Sequence, residues 1–331
     1  MTNKPSPRPA PLLLADIGAT NARFSLGDGG GSDRTATLPC AGFVSLEAAV
    51  RAFLDGAGAG EPPRRAAFAV AGPVTGDAVA LTNLDWRFSV DGLRRALGLE
   101  QLEVVNDFTA VALALPHLTA ADRRPIGGER CQAVAGAPLA VLGPGSGLGV
   151  SGLLPRPGGG WLPLSGEGGH VTLAAADDRE SEVLARLRRR FGPVSAERAL
   201  SGPGLVNLYR ALCELAGREP APLSPAEVSD AGLAGGCPHC REALELFAAF
   251  LGTVAGDLAL TLGARGGVFI AGGIAPRLGD FLEGSAFRRR FEDKGPQRVY
   301  LEAIPTDLVI HPRPAFPGLG ALLSSPGADR P

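Results

Sequence analysis

"LLLADIGATNARFSLGD", Leu12 to Asp28, is an apolar run that meets Asp16, turns through a glycine and leaves as a second strand-like run. "LAVLGPGSGLGVSGLLP", Leu139 to Pro155, has the same layout. Two strand–turn–strand units in one chain predict two structurally similar halves. Glycines in such turns let the backbone reverse sharply and aim N–H groups at an anion, forming a small concave nest. Each pattern alone is equally that of an ordinary β-hairpin. Around these two units, short β-branched runs such as "RAAFAVAG", "LEVVND" and "GGVFIAGG" alternate with helical patterns, which predicts α/β architecture with a mostly parallel sheet. The clearest helix is "CREALELFAAFLGTVAGDLALTLGA", where Phe247, Leu251, Val254, Leu258 and Leu262 recur at three- and four-residue steps before Gly263 offers a stop. Its apolar character on all sides predicts burial between layers. Gly and Pro fall in short turns such as "GDGGGSD" and "PRPGGGW" and not in one long linker.

The 331 residues are enough for two compact domains. With 32 basic and 34 acidic residues, no global charge draws the chain to nucleic acid or to an anionic membrane, so a small molecule is the expected partner. Five scattered cysteines, wholly apolar runs too short for a membrane span, and an amino end that reaches Asp16 after a brief apolar stretch lead us to expect an intact, reduced, cytoplasmic chain.

Common nucleotide motifs do not fit. "GPGSGLGV" lacks the spacing of G-x-G-x-x-G, neither Lys4 nor Lys294 sits in a Walker loop, and the H-R-D set of protein kinases is missing. The chemistry concentrates instead where "LEVVNDFTAVALAL" (Leu102 to Leu115) places Asn106 and Asp107 between two apolar runs. Asp107 lies at the carboxyl end of a predicted strand, where open α/β sheets hold their ligands. A carboxylate there can take the proton of a hydroxyl that attacks a phosphoryl group, and Asn106 beside it offers a donor and an acceptor. The pair can equally cap the following helix. "SGEGGHV" sets Glu167 and His170 three apart in a glycine-rich loop, where binding groups are common, although either residue there and Glu197 in "SAERALSGPG" can simply be solvated.

In order, "LLADIGATNARFSL", "LTNLDWRFS", "EVVNDFTAVALALP", "LGPGSGLGVSGL", "SGEGGHV", "ERALSGPGLVNLYRAL", "GGVFIAGGIAPR" and "FEDKGP" resemble the bacterial glucokinases, within the hexokinase and actin-like ATPase superfamily. The resemblance covers nearly the whole chain. It implies an α/β, two-domain actin-like ATPase (ribonuclease H-like) fold with an interdomain cleft, and ATP-dependent phosphorylation of the glucose 6-hydroxyl. We place the small domain at residues 1–116 plus 312–331, rejoined by the final helix "FPGLGALLSS", and the large domain at 117–311. By the resemblance, Asp107 is the base, and Asn106, Asp107, Glu167, His170 and Glu197 hold glucose. Asp16, Gly18, Ala19, Thr20 and Asn21 form one phosphate site, Gly143, Gly145, Ser146 and Gly147 the other, and Gly272 and Gly273 pack on the adenosine. Asp16 would stand near Mg²⁺ through water, although a turn-capping Asp has the same look. Arg23 can reach phosphate or face solvent. The family also implies a homodimer.

Two alternatives remain. A kinase for mannose or N-acetylglucosamine would share every motif, because hexose choice rests on pocket shape and unpaired polar groups. A sugar-sensing regulator would need a helix-turn-helix module, for which the short stretch before the first strand and the tail "SSPGADRP" leave no room. "CPHC" (Cys237 to Cys240) has redox spacing at a helix start, but it lacks the surrounding βαβ unit and a fourth metal ligand, and the three-cysteine zinc cluster of the related ROK kinases is not matched. We expect both thiols to be dispensable. The runs "RLRRRF" and "FRRRF" are expected to be solvated helix faces, partly offset by the acids of "DDRESE" and "FED".

Overall fold

The computed structural model describes residues 10–27, 33–58, 61–82, 84–128 and 131–324. The centre of the "GDGGGSD" turn, Asn83 of "LTNLDWRFS" and the tail beyond Ser324 lie outside the described residues. The chain forms two compact units, residues 1–118 with 312–331, and residues 119–311.

In the first unit the strands are β1 (Leu12–Ile17), β2 (Asn21–Gly27), β3 (Arg34–Pro39), β4 (Arg65–Val70), β5 (Ala78–Ala80), β6 (Arg87–Ser89) and β7 (Gln101–Asn106). They are joined by the helices α1 (Leu46–Gly56), α2 (Val90–Ala96) and α3 (Asp107–Ala114). Its main sheet has the order β3-β2-β1-β4-β7. The β1–β2 and β2–β3 pairs are antiparallel, and β1–β4 and β4–β7 are parallel. Ser45 starts α1 by accepting the Ala48 N–H, and the buried residues Leu46, Ala49, Val50 and Phe53 recur on one face of that helix. Phe53 stacks on Phe24 of β2 with ring centroids 5.0 Å apart.

The second unit contains β8 (Arg123–Pro125), β9 (Leu139–Pro144), β10 (Leu148–Pro155), β11 (Trp161–Ser165), α4 (Asp178–Phe191), α5 (Gly202–Leu215), α6 (Pro225–Leu233), α7 (Pro238–Leu262), β12 (Gly267–Ile270), α8 (Ala275–Gly284), α9 (Phe287–Glu292), α10 (Arg298–Glu302) and β13 (Thr306–Val309). The chain then returns to the first unit as α11 (Ala315–Ser324). The second sheet runs β11-β10-β9-β12-β13-β8. Its first five strands repeat the first sheet's plan: an antiparallel edge strand, a hairpin, then two parallel neighbours. The repeat legible in Leu12–Asp28 and Leu139–Pro155 is therefore a repeat of half-sheets, consistent with an actin-like ATPase fold.

The sheets are not mostly parallel, as the alternation of strands and helices suggests. Both glycine turns are tight hairpins, and a hairpin pairs its strands antiparallel. Only the strands reached through helical crossovers run parallel.

The long helix α7 ends where Gly263 takes a left-handed φ of 62°. Alone among the described helices it is long and apolar enough to cross a bilayer. Most of its apolar stretch is buried inside the unit, where α5, α6 and α9 pack on it. The crossing with α9 is close: a Cβ at Gly252 would lie 2.1 Å from the Phe287 carbonyl oxygen, and one at Gly256 2.6 Å from that of Phe291.

"FRRRF" is not a solvated face. Arg288 is buried, donating to the carbonyls of Leu301, Glu302 and Ile304 and to Glu292. Arg290 is buried too, and reaches both oxygens of Glu180 (2.6 and 3.2 Å) and the Thr253 hydroxyl. Glu180, from the "DDRESE" run, also accepts the Ala176 N–H. Only Arg289 of this run points to solvent, because adjacent positions on a helix face different sides.

Breaking a buried pair leaves a stranded charge, which costs about 3–5 kcal/mol. Arg290→Met is expected to lower stability by that amount, and Glu180→Leu combined with Arg290→Met to recover most of it. Urea unfolding of the three proteins checks this; a double variant no more stable than Arg290→Met would show that packing, and not the stranded carboxylate, sets the cost.

Candidate active site

The candidate residues divide into two groups, one on each unit. On the first, the parallel strands β1, β4 and β7 end at one edge of the sheet. Asp16, Ala69 and Val105 occupy one row across them, so β1 and β7 stand about 10 Å apart. Asp16 lies inside β1, and not after it as the sequence suggests. Its partner in register on β2 is Arg23, whose guanidinium reaches Asp16 Oδ2 at 3.1 Å. Arg23 is therefore ion-paired with Asp16 while its side chain stays 43% exposed. Burial raises the Asp16 pKa, against the opposing pull of Arg23.

The turn that follows is built from Gly18, Ala19, Thr20 and Asn21. Gly18 N–H donates to the Asn21 carbonyl (3.0 Å), and Cys40 N–H donates to that of Thr20 (2.9 Å). The hairpin is thus tied to the residue that follows β3.

Asn106 ends β7 and Asp107 opens α3. The helix-cap reading holds for Asn106: its Oδ1 accepts the N–H groups of Phe108 (2.9 Å) and Thr109 (3.3 Å). Its Nδ2 donates to the Gly72 carbonyl at 3.1 Å, in the loop after β4. Gly72 is a positioning residue that sequence reasoning missed; the only signal was a glycine closing "RAAFAVAG". Asp107 is left with its carboxylate at the helix start, where Oδ1 takes the Phe108 N–H at 2.8 Å. Burial pushes the Asp107 pKa up to about 6; the Phe108 N–H works against this and the charge of nearby Asp16 adds to it.

On the second unit, Gly143, Gly145, Ser146 and Gly147 lie at and beyond the end of β9. Gly145 N–H donates to the Gly147 carbonyl (2.8 Å), closing the turn, and Gly202 N–H donates to the Gly145 carbonyl (2.8 Å). Gly272 and Gly273 follow β12 beside it. Gly272 has φ of 82°, and a Cβ there would lie 2.4 Å from the Pro144 carbonyl oxygen, so the two glycine segments meet backbone to backbone.

Glu197 is half-buried and bonded, not solvated. Its Oε2 accepts the Leu148 N–H at 2.8 Å, directly after the hairpin, and a Cβ at Gly147 would lie 2.4 Å from that oxygen. Glu167 precedes and His170 ends the turn Gly168–His170, which lies on β10 so closely that a Cβ on Gly169 would reach the Leu148 carbonyl oxygen at 2.1 Å. Leu148 thus has Glu197 on its N–H and the Glu167–His170 loop on its carbonyl. Both Glu167 and His170 are exposed. The structure brings these three residues and the second hairpin together within this unit. A separate polar cavity of about 750 Å³, lined by Asp177, Arg241, Asp280 and Arg289 among others, contains none of them.

The glucokinase family model matches residues 13–326. The glucokinase of Paramagnetospirillum magneticum is 52% identical over 316 residues, covering 95% of this chain and 98% of its own. The crystal structure of a glucokinase from an Antarctic psychrotroph has a TM-score of 0.86 at 39% identity, covering 96% of this chain and 99% of its own. A ROK family glucokinase from Streptomyces griseus in complex with glucose and AMPPNP has a TM-score of 0.63 at 18% identity, covering 95% and 99%; at that identity the likeness is one of fold alone.

Asp107 makes a stability prediction of definite sign. Its folded-state pKa of about 6 lies above the ordinary 3.8, so between those values the native state holds a proton that the unfolded chain has lost. Stability therefore falls as pH rises through this window, and the deficit is complete above about 6. Asp107→Asn is expected to be more stable than the parent above pH 6, with the advantage shrinking as pH falls toward 3.8. Urea midpoints across that range check it; a pH-independent difference would refute the desolvation argument.

Proposed function

The chain belongs to the glucokinase family and is an enzyme that phosphorylates glucose, and from this premise we propose that Asp107 is the base for transfer of the ATP γ-phosphoryl group to the sugar's 6-hydroxyl. The observation that carries the assignment is a carboxylate at the C-terminal edge of parallel strands, desolvated enough to titrate at about 6. A base of that pKa is ionised at neutral pH yet accepts a proton more readily than an ordinary carboxylate. Asp107 receives the hydroxyl proton as the O–P bond forms. Asn106 fixes the start of α3, and so the carboxylate, through its cap and the Gly72 carbonyl.

Glu167, His170 and Glu197 take the sugar hydroxyls, with Glu197 sharing its carboxylate between glucose and the Leu148 N–H. Gly18 and Gly145 use their N–H groups to close the turns, so the amides of Ala19, Thr20, Ser146 and Gly147 are the ones offered to phosphate. Gly272 and Gly273 face the adenosine. Among the described residues no three His, Cys, Asp or Glu side chains gather to hold a metal. That donor set suits Mg²⁺ carried on the nucleotide, which keeps several waters and needs few protein ligands. Asp16 would hold it through water, and the ion would neutralise charge on the β- and γ-phosphate oxygens. The resemblance to the family further supports a cytoplasmic homodimer, which light scattering tests for its assembly.

We expect ADP release to require Mg²⁺ and a hexose, with glucose preferred over mannose and N-acetylglucosamine; a coupled assay over a hexose panel decides this, and no hexose-dependent release from folded protein would refute it. Asp107→Asn should lower kcat by about 10² to 10⁴ while calorimetry finds glucose still bound. In the parent, kcat should fall as pH drops below about 6, where Asp107 takes up its proton. Near-normal turnover in Asp107→Asn would return Asp107 to a helix-capping role.

Gly147→Ala tests Glu197. The added methyl would push the Glu197 carboxylate off the Leu148 N–H, so stability should fall by about 1–3 kcal/mol while KM for glucose rises. Unchanged KM would remove Glu197 from the sugar contacts.

A further inference from the structure

Cys237 and Cys240 take no part in the reaction above, yet they are differently placed in a way that suits thiol chemistry. Cys237 is the N-cap of α7, a helix of 25 residues, and is half-buried. Cys240 lies one turn further on and is fully buried. The Cys240 N–H donates to Cys237 Sγ at 3.3 Å, so the outer sulfur caps the helix where the aligned peptide dipoles favour negative charge. Pro238 opens the helix between them, fixing the backbone of the first turn. Cys237 and Cys240 are both free, and neither belongs to a metal-holding group among the described residues.

We propose that Cys237 and Cys240 form a thiol–disulfide exchange site for a small disulfide of the glutathione class, with Cys237 as the entering thiol and Cys240 as the resolving one. The Cys237 thiolate attacks one sulfur of the incoming disulfide. A sulfur–sulfur bond forms to Cys237, the original one breaks, and the first thiolate leaves and takes up a proton. Cys240 then loses its proton and attacks Cys237 Sγ, forming the Cys237–Cys240 bond and releasing the second thiol. The protein dithiol is oxidised by two electrons and one disulfide is reduced to two thiols.

The acidities agree with this order. Burial raises the Cys237 pKa, but hydrogen bonds from the Cys240 side chain and from the Cys240 and His239 N–H groups outweigh it, leaving a net lowering. Burial, with the neighbouring Cys237 sulfur, pushes Cys240 up to about 12. An outside disulfide therefore meets Cys237 first, and Cys240 attacks only when a mixed disulfide places the target within its own helical turn. Cys213 on α5 is the competing thiol: it is buried, close enough to both for its charge to be felt, and held by Tyr209.

The test equilibrates the full chain with mixtures of reduced and oxidised glutathione, then quenches with acid, alkylates and maps peptides by mass. The native parent should lose both thiols together, yield a Cys237–Cys240 linked peptide, retain no glutathione and return to the dithiol with reductant. Cys240→Ala should hold one glutathione on Cys237, and Cys237→Ala should hold none on Cys240. Because Cys240→Ala alters the core, the parent's own linked peptide decides the matter if that variant does not fold. Thiol loss only in urea, a link to Cys213, or glutathione retained by the native parent would each overturn the proposal.

Discussion

The first unit's chemistry depends on how one amide is bonded. Asn106 accepts the first two free N–H groups of α3 with its oxygen and donates to the Gly72 carbonyl with its nitrogen. The oxygen turns strand into helix at the one point where a carboxylate can stand on the helix start. The nitrogen ties that turn to the loop after the neighbouring strand. Asp107 is therefore held by a neighbour's bonds, and its own carboxylate accepts the Phe108 N–H and is also hydrogen-bonded by the Asn106 side chain. Either partner of Asn106, if lost, would free the turn and the Asp107 carboxylate with it.

The second unit reaches a similar end with opposite means. Its acidic residue is the brace: Glu197 bonds the backbone of Leu148 directly after the hairpin, and Gly147 leaves room for it. Gly202 secures the other side of the same turn. If Glu197 takes a sugar hydroxyl as proposed, the carboxylate that holds the glycine turn links the turn's position to the presence of the ligand. This follows from a single oxygen distance and a missing side chain, features that no residue spacing displays.

Much of the fold could be read from the chain because its strongest signals are local. Apolar strands ending in glycine turns gave two hairpins, and three- and four-residue apolar steps gave α7 with its stop at Gly263. Strand direction was misjudged because alternating strands and helices imply crossovers, while the hairpin returns behind most of the antiparallel pairings occupy few residues. Arg288 and Arg290 were misread because charge runs look alike whether solvated or buried; their partners Glu180, Thr253 and the carbonyls near Ile304 are remote in sequence. In the site, residue identities were legible as types at matched positions. Their bonds were not: Asp16 to Arg23 needs the β1–β2 register, Asn106 to Gly72 needs the β4–β7 pairing, and Glu197 to Leu148 joins residues 49 apart.

Asp107 and Cys237 show burial meeting opposite outcomes. Asp107 is desolvated with another carboxylate, Asp16, nearby, which outweighs its hydrogen bonds, so the proton is held more tightly, as the proposed base requires. Cys237 is also penalised by burial, but the hydrogen bonds at a helix start outweigh this, so the proton is held less tightly, as the proposed entering thiol requires. Both stand at helix starts, and the difference lies in what else faces them. Asp107 has its helix's capping donors largely taken by Asn106, whereas Cys237 is itself the cap. A carboxylate relieved of capping holds its proton more tightly, and a thiol made to cap holds its proton less tightly.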